Sequence, residues 1–559
     1  MSLVLSLSIL GACVLLSWPL GRYLTAVMEP PKEAPGIQRL FETTIVRVTG
    51  SAAAAQQNWK SYAVSMLTFN GVMFGVSWLI LTVQTWLPLN PDQMAALEPS
   101  LVFNTVASFT SNTNLQHYSG EASLSYFSQL FALMWLQFVS AATGLAALTA
   151  LARGLSGRTM LGNFYRDVLR ATFGILLPLC LVVATLLLIG GIPMTFKGAA
   201  VAHTLEGLEQ TIARGPVAAF VAIKQLGTNG GGFFGPNSTH PMENPGFFTN
   251  VIECASILLI PMACVWMFGF MTRRVRHAAV VFAVMALMLA VNVGAALYLE
   301  SAPTAALEGL PVAQQRGNLE GKELRFGTGA GPLWAALTTA TSNGSVNSMH
   351  DSLNPLTGLV PMIGMWLNVI FGGVGVGMIN MFLYIIAGVF ICGMMVGRTP
   401  EYLTRKVETR EMKLALLAIL VHPLFILGGA AIFAATPWGA GTVNNPGPHG
   451  FSEILYEFSS ASADNGSGFE GLGDNTVPWN TATGLVMLLS RFIPIILPLA
   501  IAGSLAAKKA APENTGTLRT DTPLFGFVIL GSVVFVGALL FLPVAVLGPI
   551  AEHLARGIR

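Results

Sequence analysis

The sequence predicts an all-α integral membrane protein with ten transmembrane helices. Eight of them form four pseudo-symmetric helix–pore loop–helix repeats around one pore, and one extra helix lies at each end. Three observations predict this. Of 559 residues, 53% are hydrophobic and only 10% charged, whereas a soluble domain carries about 25% charged residues. Ten apolar runs are long enough to cross a hydrocarbon core of ~30 Å, which takes ~20 residues of helix. A four-residue theme also recurs four times in the connections between runs.

The runs lie near 3–28, 61–87, 124–151, 168–194, 250–271, 278–299, 357–396, 412–435, 481–506 and 524–547. The first lacks a basic segment ahead of it and is long enough to span, so it reads as a retained helix. The seventh is too long for one simple span and contains Gly372-Gly373-Val374-Gly375-Val376-Gly377. Lysine and arginine decide between one broken span and two. With ten spans and the N-terminus outside, the inside segments are 29–60, 152–167, 272–277, 397–411 and 507–523. Each is basic: Lys32, Arg39, Arg47 and Lys60; Arg153, Arg158 and Arg166; Arg273, Arg274 and Arg276; Arg398, Arg405, Lys406 and Arg410; Lys508, Lys509 and Arg519. The outside stretch 436–480 carries Glu453, Glu457, Asp464, Glu470 and Asp474 with no Lys or Arg. Splitting the seventh run would put two basic loops outside. The bias therefore favours ten spans, both termini outside and a seventh helix interrupted by glycines.

This gives an N-terminal extra helix at 1–28 and pore repeats at 61–151, 168–271, 278–396 and 412–506. A C-terminal extra helix follows at 524–547. Cys13, Cys180, Cys254, Cys264 and Cys392 lie in apolar stretches without paired spacing and read as small core residues. The net charge of +2 selects no class of partner.

The theme reads Thr110-Ser111-Asn112-Thr113, Gly227-Thr228-Asn229-Gly230, Thr341-Ser342-Asn343-Gly344 and Ala463-Asp464-Asn465-Gly466. Aligned on asparagine, the copies are 117, 114 and 122 residues apart. Each lies in an outside connection, after a short apolar segment: Leu97–Phe109, Pro216–Leu226, Pro332–Ala340 and Phe451–Ala461. These segments are too short to cross and read as helices that enter the membrane and return. Irregular backbone at membrane depth is tolerated only where it is buried in protein or lines a cavity. Glycine lets carbonyls turn inward at positive φ. Carbonyl, Asn, Thr and Ser oxygens are hard ligands that replace water around K⁺ or Na⁺. The short helices direct the partially negative ends of their dipoles at the axis. One such loop alone is an ordinary Gly/Asn turn; four in the same topological slot predict a selectivity filter.

The filter residues expected are Asn112, Thr113, Asn114, Thr228, Asn229, Gly230, Gly231, Ser342, Asn343, Gly344, Ser345, Asp464, Asn465, Gly466, Ser467 and Gly468. Gln116, Gly232 and Glu470 flank them. Gly372, Gly373, Gly375 and Gly377 predict a gate under the filter, with close helix packing through the Gly373–Gly377 pair as the alternative. Arg491 sits about mid-span. A charge there faces the bundle interior or a cavity, where it would set an electrostatic barrier or hold the glycine loop by its carbonyls. No intramembrane carboxylate relay stands out, which disfavours proton coupling.

No Asp-Lys-Thr-Gly phosphorylation sequence and no GxxxxGK[ST] loop occur, and the longest inside segment is about 30 residues. An ion pumped by this chain needs another chain to use the ATP.

The four theme copies are extended by Asn114-Leu115-Gln116-His117-Tyr118, Gly231-Gly232-Phe233-Phe234 with His240-Pro241-Met242-Glu243-Asn244-Pro245, Ser345-Val346-Asn347, and Ser467-Gly468-Phe469-Glu470-Gly471-Leu472. In these motifs the chain resembles the potassium-binding A subunits (KdpA) of bacterial Kdp potassium-transporting ATPases, across essentially its whole length. The resemblance implies K⁺ taken from the periplasm and an inner-membrane complex with B, C and small F subunits, of which the B subunit is the P-type ATPase. It also implies an intramembrane tunnel from below the filter into the ATPase. It implies no catalytic site and no nucleotide on this chain, contact with membrane lipids and no nucleic acid. Two alternatives remain: a stand-alone channel-like K⁺ or Na⁺/K⁺ transporter of the same superfamily, and a secondary transporter on inverted repeats. The latter is disfavoured because every loop faces the same side.

Overall fold

The computed structural model describes residues 3–30, 42–45, 47, 50, 55–304, 307–315, 317–395, 397, 399–510 and 518–556. Of the basic residues used for orientation, Lys32, Arg39 and Arg398 lie outside the described residues.

The principal helices, in chain order, are α1 (Leu3–Met28), α2 (Trp59–Thr82), the short α3 (Pro99–Thr110), α4 (Ser128–Leu155), α5 (Phe164–Ile189) and the short α6 (Val217–Leu226). There follow α7 (Phe247–Met271), α8 (Val275–Glu300), the short α9 (Ala330–Ala340), α10 (Pro355–Leu367), α11 (Val376–Met395) and α12 (Thr409–Ala434). The short α13 (Pro448–Ser462), α14 (Val477–Ala506) and α15 (Pro523–Ala555) complete the chain. Among the described residues, ten helices are long and apolar enough to span. The chain is a multi-pass membrane protein. Among the described residues, the sheet content consists of two antiparallel hairpins, Ala200–His203 with Glu209–Ile212 and Glu401–Tyr402 with Arg405–Lys406.

The short helices have 12, 10, 11 and 15 residues. At about 1.5 Å per residue they are ~15–23 Å long, less than a bilayer core. Their starts are locally encoded. The Glu98 carboxylate caps α3 by accepting from Leu101 N at 3.0 Å, and Pro99 and Pro448 occupy first-turn positions where no N–H is needed. Every residue of α9 is buried.

The seventh run is broken, and the break begins before the glycines. Asn368 ends α10 in the left-handed conformation, at φ 48°, a common way to stop a helix. Residues 368–375 are not helical, and α11 resumes at Val376. Gly377, expected within the break, therefore already belongs to α11. The Gly373–Gly377 pair does not pack helix on helix. It lets the loop fold onto itself, since a side chain on Gly377 would overlap the Phe371 carbonyl.

Burial separates centre from rim. In the most apolar stretch of each span, 78% of α4 and 72% of α7 is buried, against 28% of α1 and 22% of α2 and α15. The latter three lie at the rim. α1 leans on α7, with Gly21 against Trp266 and the Trp18 ring edge-on to Trp266 at 4.7 Å. α15 leans on α10, with Phe541 stacked on Trp366 at 5.1 Å. All five cysteines are free, four buried and Cys392 partly so.

Candidate functional site

Each short helix runs directly into its theme copy, and hydrogen bonds fix the register. The N–H of Thr113 donates to Ser108 O at 3.0 Å, Asn229 to Lys224 O at 2.9 Å, Asn343 to Thr338 O at 2.8 Å and Asn465 to Ser460 O at 3.0 Å. Each bond reaches back five residues. Left-handed φ values keep the same step: Asn112 70°, Thr228 49°, Ser342 47° and Asp464 52°, then two residues later Asn114 58°, Gly230 70°, Gly344 93° and Gly466 102°. The equivalent triplets are Asn112-Thr113-Asn114, Thr228-Asn229-Gly230, Ser342-Asn343-Gly344 and Asp464-Asn465-Gly466. This corrects the alignment on asparagine. Asn112 lies one place early, Thr113 is the counterpart of the other three asparagines, and Asn114 stands where they have glycine. Asn is among the few residues that accept this φ.

The loops close into a ring. The third-place carbonyl of each following loop lies against the preceding glycine: Asn343 O at Gly230, Asn465 O at Gly344 and Thr113 O at Gly466. A side chain at any of these glycines would overlap that oxygen. At the fourth junction, Asn114 Cβ packs on Gly231, where a Cβ would lie only 2.8 Å away. The theme side chains reinforce the ring. Asn343 Nδ2 donates to Lys224 O at 3.2 Å and Asn465 Nδ2 to Thr338 O at 3.0 Å, each at the C-terminal end of the preceding short helix. Asn112 Nδ2 donates to Thr228 O at 2.7 Å. Ser345 Oγ donates to Gln225 Oε1 at 2.9 Å, and Ser467 Oγ pairs with Tyr456 Oη at 2.8 Å. Gln116 zips the first loop to the second, donating to Gly232 O at 3.0 Å and accepting from Gly232 N at 2.7 Å. Gly468 lies outside the ring, near Glu457. Glu470 is exposed and accepts from Asp351 N at 3.1 Å, so it ties outer segments together without facing the ring.

The residues before the centre connect the ring to the broken helix. Thr228 Oγ1 accepts from Val374 N at 3.0 Å, Ser342 Oγ donates to Asn368 Oδ1 at 2.7 Å, and Gly372 N donates to Ala340 O at 2.9 Å. Residues 368–375 are thus fastened under the second and third loops. Arg491 is buried, as expected of an interior arginine, but it does not hold this loop. Its Nη2 donates to Ser140 O on α4 at 3.1 Å, and its Nη1 lies 3.8 Å from Asp464 Oδ2. The Asp464 carboxylate also accepts from Thr113 Oγ1 at 3.2 Å.

Two polar groups escaped the sequence reading. Lys224, fully buried on α6, donates to Asn237 Oδ1 at 2.7 Å and Ser238 Oγ at 2.6 Å and pairs with Glu243. Glu253 on α7 accepts from Gln225 Nε2 at 2.7 Å. A lysine in a short apolar helix was the one available signal, and its partners lie 13 to 19 residues on. The second group is His117. Its Nε2 lies 3.0 Å from Glu457 Oε1, and its Nδ1 lies 2.7 Å from Asn480 Oδ1. Burial opposes its charge, but Asp474 and Glu457 outweigh that and raise its pKa to about 9.

The family model for the potassium-transporting ATPase A subunit (KdpA) matches residues 7–554. The chain belongs to this family. Among its relatives are the potassium-transporting ATPase potassium-binding subunits of Geobacillus kaustophilus and Pseudomonas aeruginosa. The first is 48% identical over 547 residues, covering 97% of each chain. The second is 50% identical over 551 residues, covering 98% of each. Among solved structures, the potassium transporter TrkH from Vibrio parahaemolyticus matches with a TM-score of 0.51 at 12% identity, over 89% of this chain and 98% of that one. That similarity is one of fold.

Proposed function

We propose that this chain is the ion-selecting, translocating subunit of an ATP-driven K⁺ uptake pump. It binds K⁺ from the periplasm in the four-loop ring and passes it to a P-type ATPase partner. The observation that carries this reading is the closure of four loops with left-handed residues on one another, with carbonyl oxygens at three of the four junctions. Such oxygens replace the hydration shell of a monovalent cation without a net charge that would hold it too tightly. The oxygen set suits Na⁺ as well; family membership favours K⁺.

The repeats at 61–151, 168–271, 278–396 and 412–506 each contribute one loop, and the helices at 1–28 and 524–547 are peripheral. Residues 368–375 and Arg491 block straight passage to the cytoplasm, which keeps accumulated K⁺ from leaking back. A cavity of about 40 Å³ supports a sideways exit. It is lined by Asn368, Asp464, Asn380, Tyr384 and His422 and reaches Phe541 on α15. The partners are the B, C and small F subunits of a Kdp complex in the bacterial inner membrane, with both termini of this chain periplasmic. The B subunit, the P-type ATPase, hydrolyses the ATP, and this chain binds no nucleotide.

The test is ATP-dependent K⁺ uptake into proteoliposomes holding this chain with and without its ATPase partner. Uptake only with the partner supports the reading; equal uptake by this chain alone overturns it.

A further inference from the structure

A line of buried polar side chains runs toward the fourth loop from the segment that follows the third. His350 Nδ1 lies 2.8 Å from Tyr456 Oη on α13. Tyr456 Oη lies 2.8 Å from Ser467 Oγ, and Ser467 Oγ lies 2.6 Å from Asn465 Oδ1. All four side chains are buried. The counterpart serine of the third loop, Ser345, leads instead to Gln225 on α6.

Donor counting gives this line a direction. Asn465 Nδ2 donates to Thr338 O at 3.0 Å, and Asn465 Oδ1 accepts from Ser467 N at 3.0 Å. A flipped amide would set NH₂ against N–H and oxygen against oxygen, so its orientation is fixed. The Ser467 hydroxyl therefore gives its one proton to Asn465 Oδ1 and accepts from Tyr456. The Tyr456 hydroxyl gives its one proton to Ser467 and accepts from His350. His350 must then carry its proton on Nδ1. Its Nε2 agrees with this: among the described residues it has no hydrogen-bond partner, and the opposite tautomer would bury an unpaired N–H there. Burial and the nearby Lys322 ammonium lower the His350 pKa from 6.5 to about 3, so the imidazole is neutral and has a single N–H. Stacking on Phe469, with ring centres 4.3 Å apart, keeps the Tyr456 phenol in line.

We infer that His350 is a positioning residue for the ion site: its Nδ1–H tautomer starts a one-way relay through Tyr456 and Ser467 that fixes the Asn465 side chain. This deepens the proposed function and rests on the ring being the K⁺ site. The Asn465 side chain joins two quarters of the ring. Its amide reaches Thr338 near the end of α9, while its main-chain carbonyl lies against Gly344. A relay that holds this amide holds the junction between the third and fourth loops, and its loss loosens K⁺ binding.

ATP-driven K⁺ uptake by the assembled complex in proteoliposomes tests this with three variants. Tyr456→Phe and His350→Leu are each expected to raise the half-saturating K⁺ concentration by about fivefold, the worth of one hydrogen bond, with little change in maximal rate. His350→Asn, whose carboxamide offers an N–H near the Nδ1 position, is expected to recover most of the affinity. Equal weakening in His350→Asn and His350→Leu overturns the inference, as does a fall in maximal rate at unchanged affinity, which marks a merely structural role. Affinity unchanged in Tyr456→Phe and His350→Leu overturns the inference alone when Gly344→Asp still weakens K⁺ binding, and the underlying site assignment as well when it does not. A readout independent of transport is the ¹⁵N solid-state NMR spectrum of the wild-type complex labelled at histidine, with the His350 signals assigned by their loss in a His350 variant. Protonated Nδ1 and bare Nε2 are expected; the reverse overturns the inference.

Discussion

Gly144 on α4 and Gly375 in the broken stretch pack main chain against main chain: a side chain on Gly375 would overlap the Gly144 carbonyl, and one on Gly144 would overlap the Val374 carbonyl. One turn earlier on α4, Ser140 O accepts from Arg491 Nη2 at 3.1 Å. The glycine loop and the arginine are therefore fastened to adjacent turns of one helix. Direct contact with the loop carbonyls was one of the two roles expected of Arg491; the two instead meet through α4.

Gly375 has φ 78°, which costs a non-glycine residue roughly 1–2 kcal/mol, and it has no space for a methyl. Gly375→Ala is expected to displace residues 368–375 and raise ATP-independent Rb⁺ flux in proteoliposomes. Flux at the wild-type background would remove this loop from the barrier.

Arg491→Gln leaves the buried Asp464 carboxylate without its cation. Breaking a buried pair from one side costs about 3–5 kcal/mol, so the variant should unfold at lower temperature. Adding Asp464→Asn should recover about 1–3 kcal/mol of coupling. Strict additivity of the two losses in thermal unfolding of the complex would mean that the pair, 3.8 Å apart, does not interact.

Gly344 has φ 93° and lies against Asn465 O. Overpacking at such a point costs about 1–3 kcal/mol. Gly344→Asp is expected to weaken apparent K⁺ affinity by about tenfold or more and to relax discrimination against Rb⁺. An unchanged affinity would take this junction out of the ion site.

His117, with Glu457, Asn480 and Asp474 around it, gives the fold a pH dependence. Its folded pKa is raised from 6.5 to about 9. The protonated form is favoured in the fold, so its stabilisation is complete below about 6.5 and lost as pH rises through about 9. Thermal unfolding should occur at lower temperature at pH 10 than at pH 7, and His117→Asn should shrink that difference. An alkaline loss of the same size in the variant would assign it to other groups.

Much of the fold was legible because membrane insertion writes itself into composition. Spans of about 20 apolar residues, basic inside segments and short re-entrant helices are each local patterns. The break in the seventh run was visible through its glycines, although Asn368, which ends α10, carries a weaker local signal. The register of the first loop was not legible. Ser111-Asn112-Thr113 resembles the other copies when aligned on asparagine, and only the five-residue hydrogen bonds and the φ values show that Thr113 is the central residue. The Lys224 group was equally hidden, because Glu243 and Asn237 reach the lysine only after the chain turns back outside α6.

The sequence by itself determined that this is a ten-span, four-loop membrane protein and to which family it is similar. Hydrophobic length, charge asymmetry and short-range spacing do not depend on packing. Only the tertiary structure decided which residues share a level of the ring, that Arg491 grips Ser140 and not the glycine loop, and that Lys224 gathers Asn237, Ser238 and Glu243. Those outcomes depend on which donors come within about 3 Å of which oxygens, and packing fixes that distance both for partners five residues apart, as Thr113 and Ser108, and for partners far apart in the chain, as Arg491 and Ser140.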